Sequence, residues 1–130
     1  KILLNKDKSL KAILVWEIQD ETNFKEFLND FLIKNKNIED RIIFSWNISQ
    51  EKVFEYYKIS KFFILTSKYE WFSCSLPEAA FFWNIIISTN VWWVYDIQNN
   101  WKYWLIYKNI EQIKNFIEYN SKKINIDKYM

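Results

Sequence analysis

The chain has 130 residues, half of them apolar, which allows one domain with a real core. Its net charge of +2 is spread along the chain and does not indicate a basic patch of the kind that binds nucleic acid. With no histidine and a single cysteine, Cys74, the chain is expected to hold neither a zinc site nor an internal disulfide, and no apolar run approaches the roughly 20 residues of a membrane span.

Short, continuously apolar runs alternate with segments whose apolar residues recur at helical spacing. Ser49 is a good N-cap for one of the predicted helices. In chain order the predicted elements are the end of a helix (1–5), a strand (10–15), a helix (22–35), a strand (41–45), a helix (50–59), a strand (61–66), a helix (74–82), two strands (85–89 and 105–107), a helix (110–119) and a polar, loosely packed tail (120–130).

This β-α-β-α order predicts an α/β fold, a Rossmann-like parallel sheet with helices on both faces. Ligands of such sheets bind at the carboxyl ends of the strands. Turns marked by tryptophan follow the ends of the predicted strands. These tryptophans are Trp16, Trp46, Trp71 and the pair Trp92 and Trp93. They therefore gather at the edge where a ligand would sit.

The tryptophans are unusual, because the chain has eight of them and no glycine. At an average usage of about 7%, roughly nine glycines are expected in a chain of this length, and backbone with φ > 0 favours glycine because a Cβ is penalised there. Read as glycine, Trp101 would complete an Asn-Gly turn after Asn100. The composition, rich in Lys, Asn and Ile, is typical of an AT-rich genome, and some bacteria decode UGA as glycine. We therefore hypothesise that the eight tryptophans stand where the native protein has glycine.

The segment 66–80 carries the candidate chemistry. A strand ends, a loop carries Glu70, and a helix begins whose first-turn amides could bind an anion such as phosphate. Glu78 follows Glu70 by eight residues, so both carboxylates could accept hydrogen bonds from the hydroxyls of one sugar. Spacing alone favours a structural alternative, in which Ser75 and Glu78 form a capping box. Cys74 has no histidine partner and is interpreted as a small buried or loop residue.

With tryptophan read as glycine, the segment becomes Y-E-G-F-S-C-S-L-P-E-A-A, followed by F-G-N-I-I-I-S-T-N-V-G-G-V-Y-D-I and N-N-G-K-Y-G-L-I-Y. This ordered set closely resembles the carboxyl-terminal donor-binding domain of retaining GT-B glycosyltransferases of glycosyltransferase family 4 (group 1). The resemblance covers roughly residues 10–119, and all eight tryptophans fall on what look like family glycines. It implies a partial nucleotide-sugar-binding GT-B domain over residues 1–119, with the tail at 120–130 outside it.

The resemblance implies transfer of a sugar from a nucleotide-sugar donor to an acceptor, with retention of configuration and without a required metal or other cofactor. Glu70 matches the residue that contacts the donor-sugar hydroxyls, and we take it as the catalytic position. Glu78 matches the residue that holds the ribose. The other donor-binding positions that the resemblance implies are the loop at Trp71, Phe72 and Ser73, whose amides meet the sugar and diphosphate, Trp16, which lines the nucleotide cleft, and the region from Trp46 to Ile48 near the base.

The same resemblance implies partners and a place in the cell. The first strand of the domain and the whole amino-terminal acceptor domain would lie before Lys1, so this piece is not expected to catalyse alone. The full enzyme is expected in the cytoplasm, where a lone cysteine stays reduced, with peripheral association at the inner face of the membrane left open. No nucleic acid is expected as a partner.

Two alternatives stay open at this point. A chain with eight genuine tryptophans could present its indoles at loop ends as a non-enzymatic surface for carbohydrate or membrane. Another nucleotide-sugar enzyme with the GT-B fold, such as an epimerase, could carry similar motifs. The ordered motifs favour the transferase.

Overall fold

A computed structural model describes residues 2–16, 21–67, 74–90 and 103–123. The chain divides into two compact units, Lys1–Tyr56 and Tyr57–Met130. The elements are α1 (Ile2–Lys6), β1 (Ala12–Trp16), α2 (Glu21–Lys34), a 3-10 helix (Lys36–Arg41), β2 (Ile42–Trp46), α3 (Gln50–Ile59), β3 (Phe62–Leu65), α4 (Ser75–Phe81), β4 (Ile85–Ser88), β5 (Trp104–Ile106) and α5 (Ile110–Lys123).

In the first unit, β1 and β2 form a parallel pair whose register runs from Ala12 opposite Ile42 to Trp16 opposite Trp46. The 3-10 helix that precedes β2 was not predicted, and it contains the fully buried Ile38. Arg41, its last residue, donates from Nη1 to the backbone carbonyl of Asp7 at 3.1 Å. This bond ties the entrance of β2 to the turn that precedes β1.

In the second unit, β3, β4 and β5 form a parallel sheet with β4 in the middle. All four residues of β4, from Ile85 to Ser88, are fully buried. A strand covered on both faces needs a continuous apolar run rather than an alternating pattern, and the sequence Ile-Ile-Ile supplies it. β4 is therefore the centre of the core in this unit.

Apart from the 3-10 helix, the sequence predicts the types and the order of the described elements correctly, and the α/β class with parallel sheets and flanking helices is confirmed. Two details differ. The described strands form two sheets rather than one. In addition, α5 continues to Lys123, beyond the predicted end at residue 119, and Asn120 is buried with its side-chain amide donating to the carbonyl of Phe116 at 2.8 Å. The bond gives the buried side-chain amide of Asn120 a partner within the helix. The predicted domain boundary at 119 stays a prediction.

Candidate functional site

Glu78 is the predicted site residue with the most fully described surroundings. It lies in the first turn of α4, and its backbone N–H donates to the carbonyl of Cys74 at 3.1 Å. The residue is half-buried, and its carboxylate accepts a hydrogen bond from the Tyr57 hydroxyl, with 3.3 Å between Tyr57 Oη and Glu78 Oε2. The N-cap of α4 is Cys74, without a side-chain capping bond, so Ser75 is not at the position that a capping box requires.

Tyr57 lies near the end of α3 and is buried. Its ring stacks on Phe82 at a centroid distance of 5.8 Å and meets Phe63 edge-on at 5.6 Å. Burial, and after it the negative charge of Glu78 and the hydrogen bond to it, raises the pKa of the Tyr57 phenol above its ordinary value of 10.0. The hydroxyl is therefore protonated at neutral pH, as a donor to a carboxylate must be.

Asn84 ties the end of α3 to the start of β4. Its side chain is fully buried, and Nδ2 donates to the backbone carbonyls of Tyr57 at 3.0 Å and Ser60 at 2.5 Å. Carbonyls in the last turn of a helix have no partner within the helix, so such bonds satisfy groups that would otherwise be left unpaired. The backbone of Tyr57 is thus fixed to the same segment that leads into the most buried strand.

A second group of predicted residues lies at the carboxyl ends of β1 and β2. Trp16 and Trp46 are opposite each other in the register of the pair, and the side chain of Trp46 is 45% exposed. Asn47 has φ 49°, a left-handed conformation that Asn tolerates better than most residues. Ile48, two residues beyond β2, is half-buried. Trp16, Trp46 and Ile48 therefore lie at one edge of the first unit, and their role in donor binding stays a prediction.

Comparison with known proteins identifies the family. The family model described as glycosyl transferases group 1 matches residues 5–125, which includes every element from β1 to α5. The chain belongs to the group 1 glycosyltransferases. No curated protein and no solved structure matches it. Glu78 and the edge formed by Trp16, Trp46 and Ile48 all lie inside the matched range.

For this glycosyltransferase domain, several predicted residues lie outside the described residues. They are the catalytic candidate and the donor loop, Glu70, Trp71, Phe72 and Ser73, together with Trp92, Trp93 and Trp101. The anion site expected at the start of α4 depends on the same loop and stays a prediction. Cys74, the N-cap of α4, is exposed, so the alternative in which it is buried is wrong.

Within the described ranges, no cluster of acidic, cysteine or histidine side chains could hold a metal ion. Over those same residues, no helix combines the length and the apolar character needed to cross a membrane.

Sequence reasoning missed the roles of Tyr57 and Asn84 in this transferase domain. Neither residue is among the predicted site residues. A signal for Tyr57 was present, because the hydroxyl of a buried tyrosine usually finds a hydrogen-bond partner. The identity of that partner could not be read from the sequence, since Glu78 is 21 residues away.

Trp83 and Trp104, two of the tryptophans interpreted as glycine, differ in their surroundings. Trp83 follows the C-cap of α4 with φ 62°, and its N–H bonds to the Ala80 carbonyl at 2.9 Å while the Asn84 N–H bonds to the Ala79 carbonyl at 3.0 Å. These are the two bonds of a Schellman motif, in which the left-handed position is usually glycine. Trp104 instead begins β5, is buried, and donates from Nε1 to Ser88 Oγ at 2.8 Å.

Proposed function

We propose that this chain is the donor-binding domain of a retaining glycosyltransferase, and that it binds a nucleotide-sugar with Glu78 holding the ribose. The observation that carries the proposal is the placement of Glu78. In a chain that matches the group 1 glycosyltransferases over residues 5–125, this carboxylate lies in the first turn of the helix that follows β3 and its loop. Ligands of parallel α/β sheets bind at that end of the strands.

The chemistry of Glu78 suits the ribose. A carboxylate offers two oxygens and about four acceptor sites, so it can take a hydrogen bond from Tyr57 and still accept from the two hydroxyls of a ribose ring. Because Glu78 is half-buried, hydrogen bonds to its charge are only partly screened by water. A hydrogen bond to a charged group is worth about 1.5–3 kcal/mol.

The remaining roles follow from the family resemblance. Glu70 contacts the hydroxyls of the donor sugar, and the backbone amides of Trp71, Phe72 and Ser73 meet the sugar and diphosphate. Cleavage of the bond to the sugar leaves negative charge on the diphosphate, which oriented amides stabilise in a site from which water is excluded. Trp16 lines the nucleotide cleft, and the region from Trp46 to Ile48 lies near the base. No cofactor takes part, and the acceptor is bound by another domain of the same enzyme.

We also propose that the native protein has glycine at the eight tryptophan positions. The conformation of Trp83 supports this at one position, because a side chain with a Cβ is unfavourable at φ 62° and glycine is not. Open backbone at Trp16, Trp46 and Trp71 would also leave room for the nucleotide-sugar. The test is the coding DNA together with the intact mass of protein purified from its source cells. UGG codons at the eight positions, or a mass that equals the written chain, would contradict it.

The functional proposal is tested by calorimetry with nucleoside diphosphates. We expect the native chain, which has its native residues at the eight tryptophan positions, to bind UDP, GDP or ADP. Glu78→Ala should weaken that binding by about 1.5–3 kcal/mol, which is roughly 10- to 150-fold. Glu39→Ala is the matched control, because Glu39 is an exposed carboxylate on the 3-10 helix of the first unit. Equal affinity of Glu78→Ala and the unmodified chain would contradict the proposed role. Binding of liposomes or glycans without nucleotide would favour the non-enzymatic alternative.

A further inference from the structure

Tyr57 approaches Glu78 from a different helix, and its hydroxyl donates to the Glu78 carboxylate. We propose that Tyr57 is a positioning residue for Glu78: its hydroxyl holds the carboxylate in the orientation that accepts the ribose hydroxyls. The inference rests on the function proposed above, because it assigns a supporting group to the same nucleotide site. Tyr57 acts through Glu78 and is not itself expected to touch the reacting atoms.

Packing alone does not explain a tyrosine at this position. The ring packs against Phe63 and Phe82, whose apolar rings would pack equally well on a phenylalanine. A buried hydroxyl without a partner is unfavourable. The hydroxyl is therefore compatible with the core because the Glu78 carboxylate accepts from it.

The backbone of Tyr57 is held firmly enough to direct its side chain. Asn84 bonds the carbonyls of Tyr57 and Ser60, and the residue after Asn84, Ile85, donates its N–H to the Lys61 carbonyl at 2.9 Å. These bonds join the end of α3 to the start of β4, where every residue is fully buried. The Tyr57 phenol therefore has little freedom to move together with the Glu78 carboxylate.

Glu78, in contrast, lies on α4, which has only seven residues. A glutamate side chain loses much rotamer freedom when a ligand fixes it, and a partner that fixes it beforehand reduces that loss on binding. The distance of 3.3 Å is longer than the 2.5–3.0 Å typical of O–H···O bonds. Such contacts are often long without ligand and shorten in the complex.

The first experiment is a double-mutant cycle on nucleotide affinity. UDP, GDP and ADP are titrated into the native chain, Tyr57→Phe, Glu78→Ala and the double variant. Tyr57→Phe should weaken binding about three- to tenfold, the size expected for one hydrogen bond. In the Glu78→Ala background the same change should have no further effect, because a residue that acts only through Glu78 has nothing left to position. A merely structural loss would be additive.

The control for this cycle is Tyr56→Phe. Tyr56 is the neighbouring residue on α3, and its hydroxyl bonds Ser45 Oγ at 2.9 Å, so the control also removes one tyrosine hydroxyl from a hydrogen bond. Its nucleotide affinity should match that of the unmodified chain. Unchanged affinity in Tyr57→Phe while Glu78→Ala loses binding, or additive losses in the double variant, would overturn the positioning role alone. Failure of the folded native chain to bind any of the three nucleotides would overturn the proposed function and this inference together.

A second readout needs no nucleotide. With 13Cζ-labelled tyrosine, NMR follows the ionisation of Tyr57 in the unmodified chain and in Glu78→Gln. Burial and the Glu78 carboxylate both raise the pKa of Tyr57 above 10.0, so Glu78→Gln should lower the pKa while burial keeps it above the ordinary value. The same pKa in both proteins would show that the hydroxyl and the carboxylate do not interact, and the inference would fall.

Discussion

Trp83, in the turn before β4, and Trp104, on the neighbouring strand β5, differ in exposure and in backbone conformation. At the turn, Trp83 is 62% exposed and has a left-handed backbone, so its indole is solvated while its Cβ is strained. On β5, Trp104 is 7% exposed, stands opposite Ile86 in the sheet, and bonds to Ser88. The backbone conformation at Trp83 favours glycine, whereas at Trp104 the indole is buried and donates to the hydroxyl of Ser88.

This difference makes the glycine hypothesis testable one position at a time. A single change in decoding would alter both residues, but the structure predicts opposite effects on stability. Removing the side chain at the turn should relieve strain, and removing it from β5 should leave a cavity. The comparison therefore distinguishes the effect of backbone conformation, at Trp83, from the effect of side-chain packing in the core, at Trp104.

The largest effect is expected for Trp104→Gly in the chain as written. It removes a buried indole, leaves Ser88 Oγ without this donor, and places a flexible residue in a strand. The free energy of unfolding should fall by about 3–5 kcal/mol, measured by urea denaturation with circular dichroism. Trp104→Phe keeps an aromatic ring but not the N–H, and should lose less. If Trp104→Gly were as stable as the chain as written, or more stable, glycine would fit this position of β5 at least as well as the packed indole.

The next effect concerns Asn84, which directly follows Trp83. Asn84→Ala removes two hydrogen bonds, to the carbonyls of Tyr57 and Ser60 at the end of α3 and just after it, and the free energy of unfolding should fall by about 2 kcal/mol. The matched control is Asn120→Ala, which removes one bond within its own helix and should cost about half as much. Equal losses in the two variants would contradict a larger contribution of the Asn84 bonds to stability.

Much of this fold could be predicted because its signals are local. The continuous apolar run of β4 predicts a buried strand, and Ser49 predicts the start of α3, where the Lys52 N–H indeed bonds Ser49 Oγ at 3.4 Å. The placement of Glu78 in the first turn of α4 follows from the same kind of local pattern. Signals of this kind involve residues within a few positions of one another.

The features that could not be predicted depend on distant contacts. Tyr57 and Glu78 meet across 21 residues, and Asn84 bonds carbonyls 24 and 27 residues earlier. The separation of the strands into two sheets is likewise a property of the folded chain. The strand predicted at 105–107 begins and ends one residue later than β5, which runs from Trp104 to Ile106.

The smallest effect is expected at the turn itself. Trp83→Gly should raise the free energy of unfolding by about 1 kcal/mol, because glycine adopts φ 62° without the Cβ penalty, although the unfolded chain gains entropy. Trp83→Ala is the decisive control: it also removes the exposed indole but keeps the Cβ, so it should bring no comparable gain. Urea denaturation of the three proteins measures the difference. A gain shared by both variants would assign the strain to the bulk of the indole rather than to the backbone, and Trp83 would then no longer support glycine at this position.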